Sequence, residues 1–306
     1  MNELPSILIP VPRCFSFQEC IWFLDRNYDD CLHVIDQTGI KKALVIHDEI
    51  LLIKIVERPG FLEIMVLSGE NNATIREYLV GFIVEWFDIN RDIQPFYDHL
   101  ANDPYLAYMC EAFGGLRLMG IEDLFEALCW SVIGQQINLS FAYRLKRRIV
   151  ERYGRFVSFE NEVFFTFPGY QVLALAEPED LKAMQFSQKK AEYVIGLAKA
   201  FSSGALSKQR VADLPDFPSR QKLLMSYKGV GLWTANYALM KSLRESEGIP
   251  HGDVGLLKAL VGHGIISDRN EKEKIEQFFN SYKGWENYVV IYLWRSLADR
   301  QQLPLL

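Results

Sequence analysis

The 306-residue chain has no uninterrupted apolar run approaching 18 residues, so nothing in it reads as a membrane span. Nor does it have an excess of positive charge. Its 33 Lys and Arg stand against 39 Asp and Glu, for a formal net charge of −6. That excludes a broad basic surface gripping nucleic acid through bulk charge, but not a local footprint of backbone N–H groups and a few lysines. Cysteine is scarce: Cys14, Cys20, Cys31, Cys110 and Cys129 are odd in number and show no C-x-x-C spacing. This argues against a disulfide framework and for buried thiols in a reducing cytosol. Nothing after Cys129 can hold a Cys-ligated zinc or iron–sulfur cluster. The opening Met-Asn-Glu-Leu-Pro lacks the basic region of a signal peptide, and Pro5, Pro10 and Pro12 break the apolar stretch behind it. The expectation is a soluble monomer with no membrane partner, cytoplasmic and nucleoid-associated if bacterial.

What is present is ordinary globular composition, 49% hydrophobic and 24% charged, which excludes a disordered or fibrous chain. Chains beyond about 250–300 residues tend to divide, so two or more packed units are expected. Residues 1–95 read as an accessory α+β unit. Ser16-x-x-Glu19 is a capping box ahead of an amphipathic helix. Four β-rich runs follow, around Leu32–Ile35, Ala43–Ile46, Leu51–Val56 and Phe61–Leu67, and Thr74-x-x-Glu77 starts a second helix. Short connections between the runs suggest an antiparallel sheet. Asp88–Tyr105, with Pro95, Pro104 and several Asp and Asn residues, reads as a linker. Residues 96–306 otherwise look helical throughout: Ile121–Ile133, Ser140–Tyr153, a helix capped by Ser187 and ending at Gly204, and more beyond.

The most informative stretch lies in 218–243, where Lys228-Gly229-Val230-Gly231-Leu232-Trp233-Thr234-Ala235 separates two helices. Such a hairpin can aim N–H groups at one anion, reinforced by the next helix's N-terminus. A dinucleotide-binding turn needs a preceding strand and a third glycine, and Thr234 stands where that glycine should be. Taken alone, a plain helix–helix turn has an equal claim. Twenty-two residues after Gly231, the loop 249–254 carries Asp253 ahead of an apolar helix. Most aspartates so placed serve only as N-caps, yet the interval suffices for one helix and a returning loop.

Hairpin and Asp loop together make the chain resemble the helix–hairpin–helix DNA glycosylase superfamily, in its AlkA-type DNA-3-methyladenine glycosylase II branch. Ala127–Asn138 with its Ile133-Gly134-Gln135-Gln136, the stretch Phe186-Ser187-Gln188-Lys189-Lys190-Ala191, and Gly229–Tyr237 match in order. The resemblance covers about Tyr105–Leu303, and the N-terminal unit resembles that branch's accessory sheet domain. It implies an α+β protein: an antiparallel sheet domain with helices, then a mostly helical glycosylase region in two subdomains.

It also implies a role for each matching residue. Asp253 would be the catalytic carboxylate. Trp233 and Tyr237, and with them Trp285, would line a base pocket. Gly229, Gly231, Leu232 and Thr234 would bind DNA at the hairpin. The turn Gln136-Ile137-Asn138 would enter the duplex, with Gln136 or Ile137 as the wedge. Main-chain carbonyls of Met225, Tyr227 and Val230 would hold a structural Na⁺ or K⁺, with no cofactor needed for catalysis. Departures lie in Pro250-His251-Gly252-Asp253, which has one acidic residue where some members have two, and in Glu286-Asn287-Tyr288, without the Pro and Arg often found there. Lys146-Arg147-Arg148 reads as a solvated helix face.

The chemistry suits these residues. Breaking an N-glycosidic bond builds positive charge on the sugar, which a nearby carboxylate stabilises while it orients water. An alkylated purine is a cationic leaving group that aromatic walls attract. The expected function is monofunctional excision of alkylated purines from damaged double-stranded DNA in base excision repair. Two alternatives are a non-catalytic hairpin protein with Asp253 only as a cap, and a bifunctional glycosylase/lyase acting on oxidised purines. Lesion range stays open among 3-methyladenine, 7-methylguanine, hypoxanthine and etheno bases.

Overall fold

Runs of Ile, Leu and Val build the N-terminal sheet. The computed structural model describes residues 6–25 and 30–300. Its five strands are β1 (Ile7–Pro10), β2 (Val34–Asp36), β3 (Gly39–Ile46), β4 (Glu49–Arg58) and β5 (Phe61–Ser68), in the order β1-β5-β4-β3-β2. Every pair is antiparallel, with Ile40 facing Ile55 and Ile55 facing Ile64 across the ladder. Those isoleucines share a buried face with Ile7, Ile9, Ile53 and Leu62. Helix Ala73–Trp86 lays Ile75, Leu79, Phe82, Ile83 and Trp86 against it, and helix Phe17–Leu24 adds Phe17 and Cys20. Each such side chain taken out of water contributes roughly 1.5–3 kcal/mol. Ser16 caps the first helix through the Glu19 N–H as the sequence suggests, but the second is capped by Asn72 rather than Thr74.

Two readings from the sequence need correction. Asp88–Tyr105 is not a linker: helix Gln94–Leu100 lies within it, and Phe96 and Leu100 are wholly buried in the main core. The C-terminal region is not purely helical either. Phe156–Phe159 and Glu162–Phe165 form an antiparallel hairpin whose turn residues Glu160 and Asn161 have φ of 49° and 66°. Its Phe164 packs on Ala43 and Leu52, so the hairpin covers the second face of the sheet.

The helical region follows the expected order with small shifts at the ends. Leu124–Gly134, Leu139–Tyr153, Gln188–Ser202, Phe217–Met225, Leu232–Ala238, Val254–Gly262 and Glu286–Arg300 supply its main helices, capped by Asp123, Asn138, Ser187, Asp216, Gly231 and Asp253 in the first six. Leu232–Ala238 continues into a π-helical turn, Leu239–Leu243, ending at Arg244 in the left-handed region. The basic run is not a solvated face. Lys146 is 6% exposed and pairs with Asp30 at 2.9 Å, and Arg148 donates to Met184 O and Gln185 Oε1. All five cysteines are free thiols, two buried and three half-buried. No helix among the described residues is long and apolar enough to cross a membrane.

Candidate active site

The hairpin's geometry rests on its first glycine. Gly229 has φ of 85°, and a Cβ there would lie 2.3 Å from the Tyr193 ring. Val230 N–H closes the turn on Tyr227 O at 3.1 Å. Gly231 follows in an extended conformation as the N-cap of Leu232–Ala238, without a side-chain cap, and a Cβ there would meet nothing. The first N–H groups of that helix are therefore left for an external acceptor. Leu232 is exposed at this end, as is Lys228 just before the hairpin. Thr234 is different: it is 1% exposed, its hydroxyl accepts from Gln135 Nε2 at 2.8 Å, and its side chain faces the interior.

One turn into the same helix, Trp233 and Tyr237 stack with centroids 5.5 Å apart and planes 20° apart. Their i, i+4 spacing puts them on one face. Asp253 is brought back beside them by its loop. Its Oδ1 caps the next helix by accepting from Leu256 N–H at 2.7 Å and also receives the Trp294 indole N–H at 3.0 Å. Its Oδ2 receives the Trp233 indole N–H at 3.3 Å. The carboxylate is half-buried, with donors fixing both oxygens. Gly255 leaves room for this: a Cβ there would stand 3.1 Å from Asp253 Oδ1 and 3.6 Å from the Trp294 ring.

Trp294 went unnoticed in the sequence, yet it is the third aromatic of the group, tilted 6.4 Å from Tyr237 as well as bonded to Asp253. Trp285 is gathered with another set instead: Phe96 at 5.8 Å, Tyr288 at 5.5 Å and the Arg91 guanidinium 5.6 Å from its centroid. The other face of the site meets the sheet domain. Tyr237 lines a cavity of about 230 Å³ together with Trp86, Trp130, Lys42, Lys241 and Asp123. Burial pushes the Asp123 carboxyl up to about 6 and lowers Lys42.

The turn between Leu124–Gly134 and Leu139–Tyr153 sits across from the hairpin. Gln136 is exposed and left-handed, with φ of 56°, whereas Ile137 is half-buried against the main core. Asn138 spends its side chain capping Phe141 N–H. Gln135, part of the matching stretch but given no role from the sequence, donates to both Gly229 O and Thr234 Oγ1.

Residues 129–283 match the family described as "HhH-GPD superfamily base excision DNA repair protein". The chain belongs to that family. Residues 29–128 match the "8-oxoguanine DNA glycosylase, N-terminal domain". The glycosylase is 35% identical to the DNA-3-methyladenine glycosylase of Bacillus subtilis, over 95% of this chain and 97% of that one. It is 29% identical to DNA-3-methyladenine glycosylase 2 of Escherichia coli, over 59% and 60%. In fold it is similar to the 3-methyladenine DNA-glycosylase from Archaeoglobus fulgidus, with a TM-score of 0.82 at 21% identity, covering 96% of this chain and 98% of that one. The α+β architecture and the status of DNA glycosylase expected from the sequence thus stand.

Proposed function

We propose that this glycosylase removes alkylated purines of the 3-methyladenine type from damaged duplex DNA, by hydrolysis and as a monomer. The observation that carries the reading is Asp253 held by two indole N–H groups beside a stacked Trp233–Tyr237 pair. An extruded cationic base would stack on the aromatic wall, where cation–π attraction contributes about 0.5–2 kcal/mol per contact. Asp253 would stabilise the positive charge growing on the sugar and orient the attacking water. The hairpin N–H groups would hold a phosphate, and Gln136, exposed at the tip of its turn, would fill the space the nucleotide leaves. The relatives named for 3-methyladenine support the substrate class.

The N-terminal match to an 8-oxoguanine glycosylase domain speaks for the glycosylase/lyase alternative. Trp233 argues against it, because it stands two residues after Gly231, where lyases of this superfamily carry their amine nucleophile. A structural monovalent cation at the hairpin fits the donor set: carbonyls of Met225, Tyr227 and Val230 are neutral oxygen ligands. Tyr227 O keeps a second lone pair after accepting Val230 N–H. Such an ion would brace the turn and take no part in bond cleavage.

The test is a strand-cleavage assay with alkaline work-up on methylated duplexes, comparing the parent with Asp253→Asn. Asn still caps a helix, so the fold should persist. Excision should fall about 100-fold or more, or roughly 2.7 kcal/mol of lost transition-state stabilisation, while damaged-duplex binding is kept. Excision at the parent rate would leave Asp253 as a cap alone.

A further inference from the structure

Gln135 closes the helix Leu124–Gly134, and its side chain reaches far across the chain. The amide Nε2 donates to Gly229 O and to Thr234 Oγ1, both at 2.8 Å, across sequence separations of 94 and 99 residues. Gly229 is the hairpin's first glycine, and Thr234 directly follows Trp233. One amide therefore grips the hairpin and the helix that carries the aromatic wall. Both of its N–H groups are used, which fixes the plane of the side chain. Helix capping does not account for this, because the Gln135 backbone N–H already bonds to Val132 O. With Thr234 buried, the bond lies where a lost partner is costly.

The rest of the turn is clamped as well. Lys190 Nζ donates to Ile133 O at 2.7 Å, and burial lowers the pKa of that ammonium. Asn138 caps the following helix. Between these ties only Gln136 stands out, exposed and left-handed.

We infer that Gln135 is a positioning residue joining the duplex-entering turn to the hairpin as one rigid body. Insertion of Gln136 and presentation of the Trp233–Tyr237 wall to the extruded base then occur together. This rests on the proposed glycosylase reading, in which the turn fills the gap and the aromatic pair receives the base. Rigid coupling matters most where extrusion is costly. A base in a stable pair must be unpaired and unstacked, whereas an unpaired base is extruded at little cost. A purely structural role for Gln135 would draw no such distinction.

The experiment measures single-turnover excision of 7-methylguanine placed opposite cytosine and, separately, in a single-nucleotide bulge. Gln135→Ala and Gln135→Leu should each lose about 30-fold on the paired lesion but no more than about 3-fold on the bulged one. Leu keeps the volume without the amide, so agreement of the two assigns the loss to the hydrogen bonds. Thr234→Val, which removes one acceptor, should show the same pattern at smaller size and serves if the Gln135 variants fold poorly. Equal losses on both duplexes, or parent rates on both, overturn the inference. Failure of the parent to release any methylated purine from methylated duplex DNA overturns the substrate reading and this inference together, and a parent that releases 3-methyladenine but not 7-methylguanine is compared on 3-methyladenine in the same two duplexes. Parent excision with indifferent Gln135 variants overturns this inference alone.

Discussion

Trp294 donates its indole N–H to the same Asp253 oxygen that caps the helix Val254–Gly262, at 3.0 Å, while Trp233 reaches the other oxygen from a different helix. Three elements thus fix one carboxylate. The ring of Trp294 also meets Tyr237, so it supports the wall and the acid at once.

Trp294→Phe keeps an aromatic ring and removes the N–H. Excision should drop about tenfold, or about 1.4 kcal/mol, with abasic-duplex affinity close to the parent's. Single-turnover rates and a binding titration separate the two. A variant as fast as the parent would show that the Leu256 N–H and Trp233 suffice to orient Asp253.

Water should be the only nucleophile. Trp233 cannot form a Schiff base, and Lys228 is exposed ahead of the hairpin. Borohydride reduction during turnover should trap no protein–DNA adduct, and the product strand should stay intact until alkali is added. An adduct surviving Lys228→Ala would mean that another amine enters the site.

Grip on DNA should depend only mildly on salt. A net charge of −6 and the proposed contact through the hairpin N–H groups imply few phosphates neutralised. Three or four would give a log–log slope near about −3 for affinity against salt concentration. A slope near about −10 would demand a wide basic face.

Acid stability should reflect two opposed groups at the domain interface. Burial lowers His33 to about 4, with Asp30 acting the other way, so the unfolded chain takes up a proton first and stability falls as pH drops from 6.5 toward 4. Burial raises Asp123 to about 6, so there the folded chain protonates first and stability rises as pH drops from about 6 toward 3.8. Asp123→Asn, which keeps a cap, should steepen the loss of melting temperature between pH 6.5 and 4, and His33→Gln should flatten it. Parallel profiles for both variants and the parent would rule this out.

The hairpin and Asp253 were legible because their chemistry is local: a glycine pair between helices, and a capping Asp before an apolar helix. Four of the sheet's five strands were legible from Ile- and Val-rich runs, but the edge strand Ile7–Pro10 was not, because it is four residues long and prolines flank it. The Phe156–Phe165 hairpin was missed because its strands have four residues each, and its Glu160-Asn161 turn takes positive φ without a glycine. Asn161 between aromatic and β-branched runs was the available cue. The roles of Trp294 and Gln135 were hidden for another reason. Their partners lie 41 and more than 90 residues away, and an aromatic or Gln at a helix face or end looks the same whether it packs, caps or orients.

The interlocked cores set how this chain can be shortened. Leu32 of the sheet half belongs to the helical core, and Met119 of the helical half belongs to the sheet core. Arg117, 1% exposed, donates to carbonyls of Cys14, Asp88 and Arg91, and Lys146 is buried against Asp30. Removing the first ninety residues would take away Asp30 and the Cys14 and Asp88 carbonyls that hold these cations, and would open to water the apolar surface that Leu32 covers. In this chain, then, the sheet cannot be cut away with the helical half left unchanged. A shorter form would have to put polar side chains over the apolar surface so uncovered and build a new wall behind Tyr237.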